Sequence, residues 1–177
     1  FRMHKAFKEA ALGARRALDD NRHPSIALDA IRPALSFDIS LSPEVSALAV
    51  ETLRRYEAVH GVRYDAGATQ WVLANSDATD LRPAELLLGC KTIIIRQCER
   101  LTDISSIAYM PGLTSSTLDQ CPALETIEPI SQATGLSSVS LLQCPRIADI
   151  HPVFELKSVR SLLIDRCDQV RGYTGLR

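Results

Sequence analysis

Cysteines stand at positions 98, 121, 144 and 167, each 23 residues after the one before. A fixed interval of that size means one structural unit built repeatedly, and it restricts the class of fold before any local propensity is weighed. One interval upstream of Cys98 stands Asn75, so a fifth copy can be tested. Counting within each copy from its Cys or Asn, apolar residues fall into columns. Three positions earlier stand Val72, Ile95, Leu118, Leu141 and Ile164, and five earlier stand Gln70, Ile93, Ser116, Val139 and Leu162. Three positions later stand Ala78, Leu101, Leu124, Ile147 and Val170. Six later stand Leu81, Ile104, Ile127, Ile150 and Tyr173, and nine later Ala84, Ile107, Ile130, Val153 and Leu176. The first copy is the weakest, yet its Thr79-Asp80-Leu81-Arg82-Pro83-Ala84 matches Ala148-Asp149-Ile150-His151-Pro152-Val153. That match predicts that Asn75 is the register mate of the cysteines.

The alternating pair before each Cys has the period of a short strand, with its two apolar side chains inward and those between and beside them outward. No single copy can bury its own apolar edge, so stability comes from neighbours, at roughly 1.5–3 kcal/mol for each inward side chain. The return path is short. Pro83, Pro129 and Pro152 recur in it, and proline suits the first position of a helical turn but not its interior. Asp80, Asp103 and Asp149 stand where they can cap such a turn. Single-turn helices are therefore expected on that side, not long ones.

Written out, the pattern L-x-x-L-x-L-x-x-C/N-x-x-L-x-x-I resembles the leucine-rich repeat. The 23-residue period with D-I-x-P is similar to the internalin-like and kinetoplastid cysteine-containing subtypes. The resemblance implies an α/β solenoid with a parallel β-sheet on its concave face. It also implies that the Cys/Asn position fills the inner turn just after each strand, and that partners dock on the concave face.

The first third of the chain has a different texture. Met3, Phe7, Ala10, Ala14 and Leu18 follow helical spacing until Asp19-Asp20-Asn21. Pro24 opens a second helix through Ile26, Leu28, Ile31 and Leu35, with Pro33 near its end. Ser42-Pro43-Glu44 is a strong start for a third, which continues through Val45, Leu48, Leu53, Tyr56 and Val59 toward a Gly61 C-cap. A terminal coil would otherwise expose its core. Residues 1–66 are therefore expected to form a helical N-terminal cap that is also suited to docking on another protein. Residues 67–177 are expected to hold about five repeats, the last incomplete at Arg177, so that either the chain continues or a partner covers that end.

A net charge of −1 excludes a global field that would draw the chain to nucleic acid. No apolar run approaches the roughly 18 residues a spanning helix needs, so membrane insertion is not expected. The Phe1-to-Leu18 stretch is basic and amphipathic, similar to a mitochondrial transit segment, although Glu9, Asp19 and Asp20 count against that. Five cysteines, an odd number without a C-x-x-C pair, suit buried free thiols in an intracellular, reducing compartment, cytoplasm or mitochondrial matrix. Parallel side chains on successive coils do not face one another as disulfides require, and no metal-ligand spacing is present. The histidines, His4, His23, His60 and His151, are scattered over unrelated elements, and no phosphate loop, nucleophile elbow or zinc-protease motif occurs. Asp119 and Asp165 are two coils apart, roughly 10 Å, with no partner in chemistry. No catalytic residue, cofactor or metal is expected.

The expected docking surface is the outward set on the sheet. Thr69, Thr92, Ser115, Ser138 and Ser161 form a hydroxyl column, and the partner-binding candidates beside it are Trp71, Leu73, Ile94, Arg96, Asp119, Leu142, Leu163 and Asp165. Trp71, Leu73 and Ile94 would place apolar side chains in water beside Arg96, as interfaces do, unless the N-terminal helices fold over Trp71. The sequence thus reads as a non-catalytic protein–protein interaction scaffold or adaptor, a structural subunit of a larger assembly. The alternative is an RNA-associated structural protein such as a peripheral organellar ribosome subunit. Lys5, Lys8, Arg15-Arg16 and Arg54-Arg55 would then meet phosphate.

Overall fold

The computed structural model describes residues 2–35, 37, 42–60, 64–65, 67–110 and 112–171. The chain forms two compact units. One comprises Phe1–Ala68 together with Pro83–Gly89 and Tyr109–Pro111; the other comprises Thr69–Arg82, Cys90–Ala108 and Gly112–Arg177.

The first unit is built on α1 (Arg2–Asp19), α2 (Pro24–Leu35) and α3 (Pro43–His60). α1 buries Phe7 and a row of alanines, Ala10, Ala11, Ala14 and Ala17, before Leu18. These short side chains let α2 approach closely: a Cβ added at Gly13 would lie 3.0 Å from the Cβ of Ala30. α1 ends at Asn21, whose φ of 51° makes the left-handed turn that lets Arg22 N–H donate to Ala17 O at 3.0 Å. Ser42 caps α3, its Oγ accepting from Val45 N–H at 3.5 Å. Met3, Ile26 and Val59, expected inward on spacing alone, are exposed: Met3 and Val59 lie in end turns of α1 and α3, and Ile26 lies opposite the buried row of α2. Gly61 lies outside the described residues.

The helices pack with the short turn Ala84–Leu86, and one ion pair joins them. The Arg32 guanidinium donates from Nη2 to Glu85 Oε1 at 2.6 Å, and its Cζ stands 5.2 Å from the centre of the Tyr109 ring. Burial alone would make that cation easier to discharge, but the hydrogen bond and charge of Glu85 more than offset it and raise the Arg32 pKa.

The second unit is a parallel sheet of five strands in chain order: β1 (Gln70–Ala74), β2 (Thr92–Arg96), β3 (Ser115–Asp119), β4 (Ser138–Leu142) and β5 (Ser161–Asp165). From β2 onward the register follows the repeat: Ile93, Ser116, Val139 and Leu162 lie side by side, as do Ile95, Leu118, Leu141 and Ile164. Behind the strands, Leu101, Leu124 and Ile147, then Ile104, Ile127 and Ile150, close the interior of each coil. The return paths hold the expected single turns, Ser105–Tyr109 and Glu128–Gln132, and a one-turn α4 (His151–Phe154). Their entries are held as the sequence suggests. Asp103 Oδ1 accepts from Ser105 N–H at 2.7 Å and Asp149 Oδ1 from His151 N–H at 2.8 Å. Thr126 Oγ1 does the same for Glu128 N–H at 3.1 Å. One coil per copy, each lending its apolar edge to the next, is an α/β solenoid. Tyr173 and Leu176, expected to complete the fifth coil, lie outside the described residues.

The first strand departs from the sequence reading. β1 pairs with β2 as Trp71↔Ile93, Val72↔Ile94 and Leu73↔Ile95, an offset of 22 residues where the repeat has 23. The backbone shows why. Each coil turns after its strand through one residue with positive φ: Asn75, Gln97, Gln120, Gln143 and Arg166. Asn75 is therefore the mate of Gln97, and Ser76 stands where the later coils have Cys. Thr102 N–H donates to Thr79 O, so those two are mates as well. Four steps separate Asn75 from Thr79 where five separate Gln97 from Thr102, and the first coil is one residue shorter in that turn. The match at Thr79–Ala84 thus holds downstream of the turn but does not extend to the strand. A slip of one residue moves every side chain of a strand to the other face.

Candidate docking face of the sheet

Alternation along the strands fixes what the sheet presents to water. The outward residues form three rows across it: Gln70, Thr92, Ser115, Ser138 and Ser161; Val72, Ile94, Thr117, Ser140 and Leu163; Ala74, Arg96, Asp119, Leu142 and Asp165. Of the expected candidates, Ile94, Arg96, Asp119, Leu142, Leu163 and Asp165 are brought together on this face. Trp71 and Leu73 are not: they take the inward positions beside Ile93 and Ile95 and are half-buried. Gln70 and Val72 occupy the outward positions in their place, and Thr69 is displaced from the hydroxyl row to the position before the strand, with Lys91. Val72 was legible in principle. Aligning Asn75 with the amides Gln97, Gln120 and Gln143, rather than with the cysteines, gives the observed register.

The face carries few charges. Arg96 is exposed and makes no ion pair among the described residues, and Asp119 beside it likewise makes none; Asp165 lies 3.9 Å from Arg166 Nε. The hydroxyls of Thr92, Ser115, Thr117, Ser138, Ser140 and Ser161 have no hydrogen-bond partner among the described residues. Apolar side chains stand at both ends of the middle row: Val72 is 49% exposed and Leu163 52%, with Ile94 and Leu142 half-buried.

Beneath the face runs the cysteine ladder. All five thiols are free and buried. Each sulfur lies against strand carbonyls: Cys98 against Arg96 O at 3.4 Å, Cys144 against Leu142 O at 3.3 Å and Leu118 O at 3.6 Å, Cys167 against Leu141 O at 3.5 Å. Burial pushes the thiols of Cys90, Cys98 and Cys167 up; the hydrogen bond between Cys121 and Cys144, the largest cause for both, raises Cys121 and lowers Cys144. Buried thiols packed against carbonyls are fillers of the inner turn with a weak donor. Among the described residues no three His, Cys, Asp or Glu side chains gather to hold a metal ion, and no helix is long and apolar enough to cross a membrane.

No protein-family model matches the chain, and no curated protein matches it either. Solved structures do. An internalin, InlF of Listeria monocytogenes, is similar over 84% of this chain and 44% of its own, at 14% identity and a TM-score of 0.46. Internalin C2 of the same species is similar over 58% of each chain, at 13% identity and a TM-score of 0.36. The leucine-rich repeat domain of the type III effector XopL is similar over 97% of this chain and 73% of its own, at 14% identity and a TM-score of 0.37. The chain thus spans about half the length of the two internalins. With one strand per coil, sequential parallel pairing and the repeat columns facing inward, the fold is an α/β solenoid of leucine-rich repeat type.

Proposed function

We propose that this chain is a non-catalytic protein–protein interaction module, a scaffold or adaptor within a larger assembly, and that it docks its partner on the open face of the sheet. The observation that carries this is the middle row. Val72 and Leu163, about half exposed, share it with Ile94, and no charged residue stands in that row. Apolar side chains held in water by a rigid sheet mark an interface. Preorganisation lowers the entropic cost of binding there. The face carries Arg96 against Asp119 and Asp165, which gives a phosphate backbone little to condense on and favours protein over RNA. Five free buried thiols support a reducing compartment as the place of work.

The test is site-specific photo-crosslinking in native extract. A photoreactive residue at Thr117, in the centre of the face, is expected to trap a protein that one at Glu155, just after α4, does not. The adduct should fade when Ile94→Ser and Leu163→Ser are added. Adducts from Glu155 alone, or adducts at Thr117 indifferent to both substitutions, would remove the sheet face as the docking surface.

A further inference from the structure

Taking that docking face as given, we propose that its occupant is an extended segment of a partner protein laid across the strands, apolar at two points about 14–19 Å apart and basic between them. The spacing follows from the sheet. Strands lie about 4.8 Å apart, so Ile94 on β2 stands three steps, about 14 Å, from Leu163 on β5, and Val72 on β1 stands four steps, about 19 Å, away. Between these apolar ends the floor changes character. On β3 and β4 the outward residues of the first two rows are Ser115, Thr117, Ser138 and Ser140, all with hydroxyls that have no partner among the described residues.

A floor of unpaired hydroxyls suits one kind of backbone. A helix has already paired its amides within itself and offers only side chains over its middle turns. An extended strand leaves a donor and an acceptor free at every residue, and each must find a partner when covered. Short Ser and Thr side chains can give and accept alike. They let the chain come close, where longer side chains would hold it off. At about 3.3 Å per residue, anchors 14–19 Å apart are four to six residues apart in the partner.

Charge gives the segment its sign. In the third row Asp119 of β3 and Asp165 of β5 flank Leu142, and Arg96 stands at the β2 end. Asp119 makes no ion pair among the described residues, so a Lys or Arg carried between the anchors completes it without breaking an existing contact. Arg96 shares β2 with the anchor Ile94, so an acid beside that anchor would meet it.

The experiment pans a library of random linear twelve-residue peptides, displayed on phage, against the full chain. Enriched sequences are then measured as synthetic peptides by fluorescence anisotropy. The expected sequences carry two apolar residues four to six apart with a Lys or Arg between. Their affinity should fall at least tenfold with Leu163→Ser and with Ile94→Ser. It should fall severalfold with Ser115→Ala plus Ser138→Ala, and lose most of its salt dependence with Asp119→Asn. Melting curves of the variants serve as the folding control. Peptides that bind this face with helical spacing of their anchors, or with acidic residues between them, overturn the inference and leave the docking face standing. Peptides whose binding ignores every one of these substitutions count against the docking face itself. A selection that enriches nothing overturns the extended-segment reading, while crosslinking at Thr117 still decides the face separately.

Discussion

Arg32 on α2 and Glu85, 53 residues later, form an ion pair whose carboxylate is sealed from water. Only one of its possible contacts is short: Arg32 Nε and Glu85 Oε2 are buried without hydrogen-bond partners among the described residues. A buried pair of this kind contributes little net stability when intact, yet is costly to halve, because the survivor is left charged and dry. Glu85→Ala is expected to destabilise by about 3 kcal/mol, toward the low end of the range since part of the guanidinium reaches water. Replacing both residues with methionine should recover most of that loss. Urea unfolding of the two variants checks it; a double variant as weak as the single one would mean that the loss comes from packing and not from the orphaned charge.

The position of Trp71 gives a second test. It stands beside Ile93, inward, and Val72 stands beside Ile94, outward. Trp71→Ala should therefore cost about 1–3 kcal/mol, below the 3–5 typical of fully buried aromatics because this one is half-buried. Val72→Ser should stay within about 0.5 kcal/mol, as surface changes do. The opposite order in urea midpoints would restore the 23-residue offset for the first strand.

Those two residues also mark how far the sequence could be read. The columns from Ile93 onward were legible because a buried parallel coil repeats its inward residues at a constant interval, and Leu118, Leu141 and Ile164 do so without a gap. The first turn was not, because the length of a turn is set by backbone geometry and not by any apolar pattern. The clue, a polar residue with positive φ just after each strand, an amide in four of the five coils and Arg166 in the last, is one that hydrophobic periodicity passes over. The Arg32–Glu85 pair was hidden for another reason: nothing local distinguishes a glutamate that will be buried from one that will not. Glycine at 135 is similar. A Cβ there would stand 2.9 Å from Leu113 O, an approach between coils that only the folded chain displays.

Ser116 interrupts the inward row between Ile93 and Val139 and is buried, its Oγ without a partner among the described residues. A dry hydroxyl without a hydrogen bond costs about 1–3 kcal/mol relative to a satisfied one. Ser116→Val, which matches its row neighbours in shape, is expected to stabilise by about 1 kcal/mol and raise the melting temperature by about 2–4 °C. A lower melting temperature would show that the coil has no room for the two methyl groups.

Gln120 holds φ at 55°, and its N–H donates to Leu142 O of the next coil at 2.9 Å. L-residues adopt that conformation at a cost of about 1–2 kcal/mol, and β-branched ones resist it most. Gln120→Val should therefore lower stability by about 1–2 kcal/mol, while Gln120→Asn should be neutral or slightly favourable, since asparagine tolerates the left-handed region. Paired thermal melts check the sign; equal losses in both variants would assign the role to the glutamine side chain and not to the turn.

The buried thiols predict how stability changes with alkali. Cys90, Cys98, Cys121 and Cys167 are all raised above the ordinary value of 9.0 in the folded chain. Below that value both folded and unfolded states keep the proton, and the shift contributes nothing. Above it the unfolded thiols ionise more readily than these four folded ones, so the unfolded state binds fewer protons at these sites and their contribution to stability falls as pH rises. Each such thiol can contribute up to about 1.4 kcal/mol per pH unit in that window. Cys144 opposes the trend, because the hydrogen bond with Cys121 lowers its pKa. With four thiols raised against one lowered, the chain is expected to lose stability as pH rises above about 9, and its buried thiols are expected to show no reaction with a disulfide reagent at pH 8 until denaturant is added. A variant with Ser at 98, 121, 144 and 167 should be weaker at pH 7 but flatter across the alkaline range. An equally steep alkaline loss in that variant would move the cause from the thiols to tyrosine or lysine.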